Sequence, residues 1–136
     1  MPDTPEGSGP SAITVGYVNV YVTDFDAGVD FLGSKLGLTE LMREDDFGYA
    51  SFDAGPIQVG LAKVDPDDPI QAAMAGTMTG IGFIVDDLDA VFTDLSAQGV
   101  EFAQTPQKMP WGGYLALVRD TDGNVFYLDQ ANVMGH

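Results

Sequence analysis

The chain has 136 residues, with 5 Lys and Arg against 21 Asp and Glu, a formal net charge of −16. It has no cysteine and one histidine, His136, at the last position. That excludes a disulfide framework, a thiolate nucleophile, a Cys-ligated zinc and, unless the tail folds back, a Ser-His-Asp triad. An acidic chain repels phosphate backbones, so no nucleic-acid partner is expected. No apolar run approaches the roughly 18 residues of a membrane span, so no membrane partner is expected.

Residues 1–11, rich in Pro, Gly and Ser, predict a flexible tail. They lack the basic region and apolar core of a secretory signal, and the expected location is cytoplasmic. Ile13 to Val22 alternates and predicts a strand. Asp24 or Asp26 then starts a helix to about Leu36, with Phe25, Val29, Phe31, Leu32 and Leu36 on its apolar face and Gly37 as its stop. Strands are predicted at about Thr39 to Arg43, Tyr49 to Asp53 and Ile57 to Val64. Asp65 to Pro69 breaks the pattern, and a short turn over Ile70 to Ala75 follows. The order then repeats: a strand over Thr79 to Val85, a helix over Leu88 to Gln98 stopped by Gly99, and strands at Val100 to Ala103, Tyr114 to Arg119 and Asn124 to Asp129.

The repeat is visible in the residues. Val22-Thr23-Asp24-Phe25-Asp26-Ala27 matches Val85-Asp86-Asp87-Leu88-Asp89-Ala90, and each copy ends a strand, turns on acids and enters a helix. Both halves read β-α-β-β-β. The expected organisation is a tail over 1–11, a first module over 12–64, a linker over 65–78 and a second module over 79–136.

Three segments resemble the vicinal-oxygen-chelate superfamily, which includes glyoxalase I, extradiol dioxygenases, fosfomycin-resistance enzymes and bleomycin-resistance proteins. They are Val22–Leu38 (VTDFDAGVDFLGSKLGL), Gly80–Phe102 (GIGFIVDDLDAVFTDLSAQGVEF) and Pro110–Leu128 (PWGGYLALVRDTDGNVFYL). The resemblance implies an α+β fold: two βαβββ modules forming a cupped mixed sheet, with helices on the outer face. Strand alternation then assigns the faces. Val18, Val20, Val22, Val59, Leu61, Ile81, Phe83, Val85, Phe126 and Leu128 face the helices. Tyr17, Asn19, Tyr21, Gln58, Gly60, Ala62, Gly80, Gly82, Ile84, Val125, Tyr127 and Asp129 face the cup.

Metal-dependent members carry one His, Gln or Glu ligand on each of four strands. The resemblance places those positions at Tyr17, Gly60, Gly80 and Tyr127, with Gln58 as the neighbouring inward option. None of the four is a usual ligand, and one Gln cannot make a transition-metal site. No metal or cofactor is therefore expected.

Two glycines facing two tyrosines suggest an open pocket with aromatic walls. Trp111, in a Pro-Trp-Gly-Gly turn, reads either as a structural cover for the sheet end or as a stacking surface. Met74, Met78 and Met109 are further candidates for an apolar lining. The Asp122-Gly123-Asn124 turn reads as turn chemistry without a ligand role. The acidic clusters Glu44/Asp45/Asp46, Asp65/Asp67/Asp68 and Asp86/Asp87/Asp89 read as solvated turns, or as a field that attracts cations. The expected function is metal-independent binding of an aromatic, cationic small molecule, as in a bleomycin-resistance protein. The expected ligand set is Tyr17, Asn19, Tyr21, Gln58, Gly60, Gly80, Gly82, Trp111, Tyr127 and Asp129, in a homodimer. The alternatives are a cofactorless glyoxalase-like lyase or isomerase using Tyr or Asp as acid and base, and an accessory or regulatory ligand-binding module without turnover.

Overall fold

The computed structural model describes residues 13–131. The expected tail at 1–11 lies outside that range, as does His136. Two four-stranded mixed sheets are present. The first joins β1 (Tyr17–Val22), β2 (Thr39–Glu44), β3 (Tyr49–Asp53) and β4 (Gln58–Lys63) in the order β1-β4-β3-β2. The second joins β5 (Met78–Val85), β6 (Glu101–Lys108), β7 (Tyr114–Arg119) and β8 (Val125–Gln130) in the order β5-β8-β7-β6. In each, the first strand pairs parallel with the last and the other pairs are antiparallel. This is the βαβββ unit twice over.

The helix after β1 starts at α1 (Phe25–Val29), where the Asp24 carboxylate accepts from Ala27 N at 3.1 Å. It continues as a π-helical segment, Asp30–Lys35, in which Leu36 N donates to Phe31 O at 2.9 Å. That five-residue spacing puts Lys35 beside Asp30, with Nζ and Oδ2 3.0 Å apart. A short α2 (Pro69–Ala72), capped by Asp68, occupies the linker. In the second module α3 (Leu88–Ala97) is capped by Asp87, which accepts from Ala90 N. The two caps sit at equivalent places in the duplicated segments.

Some boundaries differ from those the sequence predicts. β1 begins at Tyr17, because Ile13 to Gly16 have no strand partner. β6 runs to Lys108, well past Ala103, although its far half is polar and holds Pro106. It is an edge strand, and its register against β7 shifts on both sides of Gln104, which accommodates a residue without an N–H.

One core joins both modules. Val20, Val22, Val59 and Leu61 from the first sheet cluster with Ala116, Val118, Phe126 and Leu128 from the second, together with Phe25, Phe31, Leu32, Leu88 and Leu95 from the helices. Phe31 of the first module stacks on Phe126 of the second at 5.7 Å. Each sheet thus turns its helix-side face into a shared interior, and its inner face away from it.

The β7–β8 turn closes one junction between the modules. Asp120 accepts from Asp122 N, Asn124 N and Asn124 Nδ2 at 2.8–2.9 Å. Asn124, fully buried, also donates to Tyr21 O and accepts from Thr77 N. Asp122 accepts from Thr23 N and Thr23 Oγ1 at 2.9 and 2.7 Å, and from Asp24 N at 3.2 Å. Here the Asp-Gly-Asn segment is a clamp across the module boundary, more than the plain turn expected. Burial pushes the Asp120 carboxyl above the usual range, against the hydrogen bonds from Asn124 and Asp122 that lower it. The equivalent β3–β4 turn, Ala54–Ile57, carries no such set of carboxylates. A cavity of about 700 Å³ remains at that second junction, walled by Leu36, Leu38, Ile57, Phe83, Val91 and Leu128.

Candidate functional site

The ten expected ligand residues divide between two surfaces. Tyr17, Asn19 and Tyr21 on β1, with Gln58 and Gly60 beside them on β4, occupy the inner face of the first sheet. Gly80 and Gly82 on β5, Tyr127 and Asp129 on β8, and Trp111 after β6 gather on the inner face of the second. A cavity of about 510 Å³ lies there, lined by all five of these together with Gln104, Met109, Leu115 and Leu117. It contains second-module residues only, so the expected residues form two separate candidate half-sites in a single chain.

The first half-site is largely filled by its own side chains. Tyr49 on β3 lies over Gly60, and its hydroxyl hydrogen-bonds Asn19 Oδ1 at 3.2 Å. A Cβ built on Gly60 would run into both Asn19 Oδ1 and the Tyr49 hydroxyl. Gly60 is therefore buried under a tyrosine, and the open space expected above it is absent. Burial, then the neighbouring Tyr17 and Tyr21 phenols, raise the Tyr49 pKa. Tyr49 escaped the sequence reading although it follows the alternation: Ala50 and Phe52 face the core, so Tyr49 and Ser51 must face the other way. Tyr17 stands free above this surface, 62% exposed.

The second half-site is open. Gly82 pairs with Tyr127, and a Cβ there would meet only Tyr127 Cβ at 3.7 Å. Gly80 lines the same cavity, and its backbone also requires glycine. Its φ is +76° at a register shift between Met78 and Gly82, a conformation other residues rarely adopt. Thr79 stabilises the bulge: its hydroxyl donates to Val125 O at 2.7 Å and accepts from Ile81 N at 3.1 Å.

Trp111 is seated on a tight turn. Met109 N donates to Gly113 O at 2.7 Å, and Gly112 N to Met109 O at 2.9 Å. The indole lies across Gly113, where a Cβ would stand 2.8 Å from Nε1. The ring is thus placed by its own turn while remaining 58% exposed. Met109 lines the cavity; Met74 and Met78 do not. Leu115 and Leu117 were missed, although Ala116 and Val118 in the core leave them only the inner face. Gln104 lies just past Ala103, where the sequence predicts this strand to end, and the strand carries it onto the inner face. Its Nε2 is buried without a hydrogen-bond partner.

A glyoxalase-family model matches residues 14–128. The chain belongs to the glyoxalase/bleomycin resistance protein/dioxygenase superfamily. It is similar to a member of that superfamily from Sphaerobacter thermophilus, with 27% identity and a TM-score of 0.74 over 88% of this chain and 98% of that one. It is also similar to TnmS3, an antibiotic binding protein from a Streptomyces species, with 28% identity and a TM-score of 0.68 over the same shares. A curated relative, the Bacillus subtilis protein YraH, is 28% identical over 79% of this chain and 91% of its own length.

Metal-dependent members of the superfamily need donors at four strand positions. The resemblance assigns those positions to Tyr17, Gly60, Gly80 and Tyr127, and the structure splits these four residues between the two inner faces. Two have no side chain, and the other two are phenols. Among the described residues no group of three His, Cys, Asp or Glu side chains is placed to hold a metal ion. This donor set does not fit a transition metal. No helix of the described residues is long and apolar enough to cross a membrane.

Proposed function

We propose that the chain binds a small aromatic cation on the inner face of the second sheet, without a metal. The observation that carries this is the 510 Å³ cavity with Trp111 and Tyr127 in its wall and Asp129 on the same face as Tyr127. Its volume suits a drug-sized molecule. Its aromatic walls offer stacking and cation–π attraction of about 0.5–2 kcal/mol per contact. Asp129 and a net charge of −16 favour a cation over a neutral analogue. The similarity to an antibiotic binding protein supports a binder that holds its ligand by sequestration.

A second copy of the chain completes the site in this reading. Tyr17, Asn19, Tyr21 and Gln58 lie on a separate surface of the same chain, so they reach the ligand only from a partner. Such a homodimer covers the exposed Tyr17, Ile84 and Trp111 side chains.

The test is titration of Trp111 emission, which reports one position because this is the only tryptophan. N-methylacridinium should change the emission saturably. Acridine, uncharged in mildly alkaline buffer, should bind more weakly, and salt should narrow the difference. A response to acridine alone would remove the cationic reading. Turnover assays with carbonyl and enolisable compounds separate this binder from a cofactorless lyase or isomerase; no turnover is expected.

A further inference from the structure

Gln104 is the unexplained residue of the second inner face. It lies on β6 opposite Leu117, with a register shift on each side of it, and its side chain lines the cavity. Its amide Nε2 is buried and has no hydrogen-bond partner. A buried donor left unpaired costs roughly 1–3 kcal/mol, so a residue kept there in that state calls for a reason. Hydrophobic residues fill the neighbouring positions Leu115 and Leu117, and a leucine at position 104 would continue that wall without the cost. The terminal torsion of a glutamine is soft, so a small rotation delivers the N–H into the cavity.

We infer that Gln104 is a hydrogen-bond donor to the ligand, and that the ligand carries an oxygen acceptor, of carbonyl or ether type, beside its planar system. This deepens the binding reading above and rests on it. Trp111 and Tyr127 supply aromatic surface, Asp129 receives the positive end, and Gln104 reads the acceptor. A site that leaves a buried donor unpaired when the acceptor is missing discriminates strongly against ligands without one. A pocket of stacking surfaces alone does not.

Two probes isolate that contact. 2-(Aminomethyl)fluorene and 2-(aminomethyl)-9-fluorenone share a planar framework and an ammonium group and differ in one carbonyl. Calorimetric titration of the wild-type protein should give the fluorenone about tenfold tighter binding. Gln104→Leu should abolish that preference and keep the melting temperature at or above wild type, because the orphaned donor is gone. Gln104→Glu, which replaces donor by acceptor, should also lose the preference. Equal binding of the two probes by the wild type, or a preference that survives Gln104→Leu, overturns the inference while the binding reading stands. A lower melting temperature in Gln104→Leu with the preference intact assigns Gln104 a structural role and overturns it too. Failure of both probes to bind the wild type removes the binding reading and this inference with it.

Discussion

The inner faces of the two sheets share one βαβββ plan and fill it differently. Each sets a glycine on a strand beside tyrosines. On the first, Tyr49 has folded into the space over Gly60 and bonded to Asn19, so the face is a self-packed polar surface. On the second, nothing reaches over Gly82, and the space remains a cavity lined by Trp111, Tyr127 and two leucines. A glycine on a cup-facing strand therefore does not by itself mean room for a ligand. What decides is whether a neighbouring strand carries a side chain long enough to fill the gap.

That contrast can be broken by single substitutions. Gly60→Ala should cost about 2 kcal/mol, because its methyl group displaces Tyr49 and breaks the Asn19 bond. Gly82→Ala should change stability by less than about 0.5 kcal/mol, since its Cβ meets only an ordinary contact, yet weaken ligand binding several-fold. Chemical denaturation of the two variants checks the first half, and titration the second. Asp122→Ala, which touches neither face, should cost about 1–3 kcal/mol by removing three bonds across the module junction, without altering ligand preference.

Replacing Trp111 or Tyr127 by Ala should lower affinity about tenfold, the effect of losing roughly 1–2 kcal/mol of aromatic contact. Tyr127→Ala is read by calorimetry or by Trp111 emission, Trp111→Ala by calorimetry alone. A modest effect is expected of Tyr49→Phe, about 1 kcal/mol at neutral pH from the lost Asn19 bond. The Tyr49 pKa is raised in the fold, so above pH 10 the unfolded chain ionises before the native one does. Wild-type stability then falls with rising pH, and the gap to Tyr49→Phe should shrink there. Denaturation curves at neutral and alkaline pH measure it. If the gap stays constant, Tyr49 is not confined as described.

Much of this architecture is legible in the residues. The duplicated strand-Asp-helix segments locate the modules and both helix caps, and alternation places Val20, Leu61, Phe83 and Phe126 on the core side. The failures have local causes. Pro106 and the polar stretch around it hid the far half of β6, because an edge strand tolerates both, and Gln104 was lost with it. Gly80 also sits at a bulge that the sequence does not show, since a positive φ leaves no mark distinct from any other glycine. The clamp made by Asp120, Asp122 and Asn124 read as a turn, because its partners at Tyr21, Thr23 and Thr77 are distant in sequence. Trp111 was visible as a candidate, but its seat over Gly113 belongs to the three-dimensional turn.

The central claim is that the ligand sits in the cavity of the second inner face, which the first inner face can reach only from a partner copy. Methyl-resolved NMR during titration with N-methylacridinium tests it most directly, because Leu115 and Leu117 line the cavity while Val18, Val20 and Val22 lie on the far side of the first sheet. Saturable shifts at Leu115 and Leu117, with the same dissociation constant as the Trp111 emission change, are the expected result. Saturable binding that leaves both leucine signals in place would contradict it.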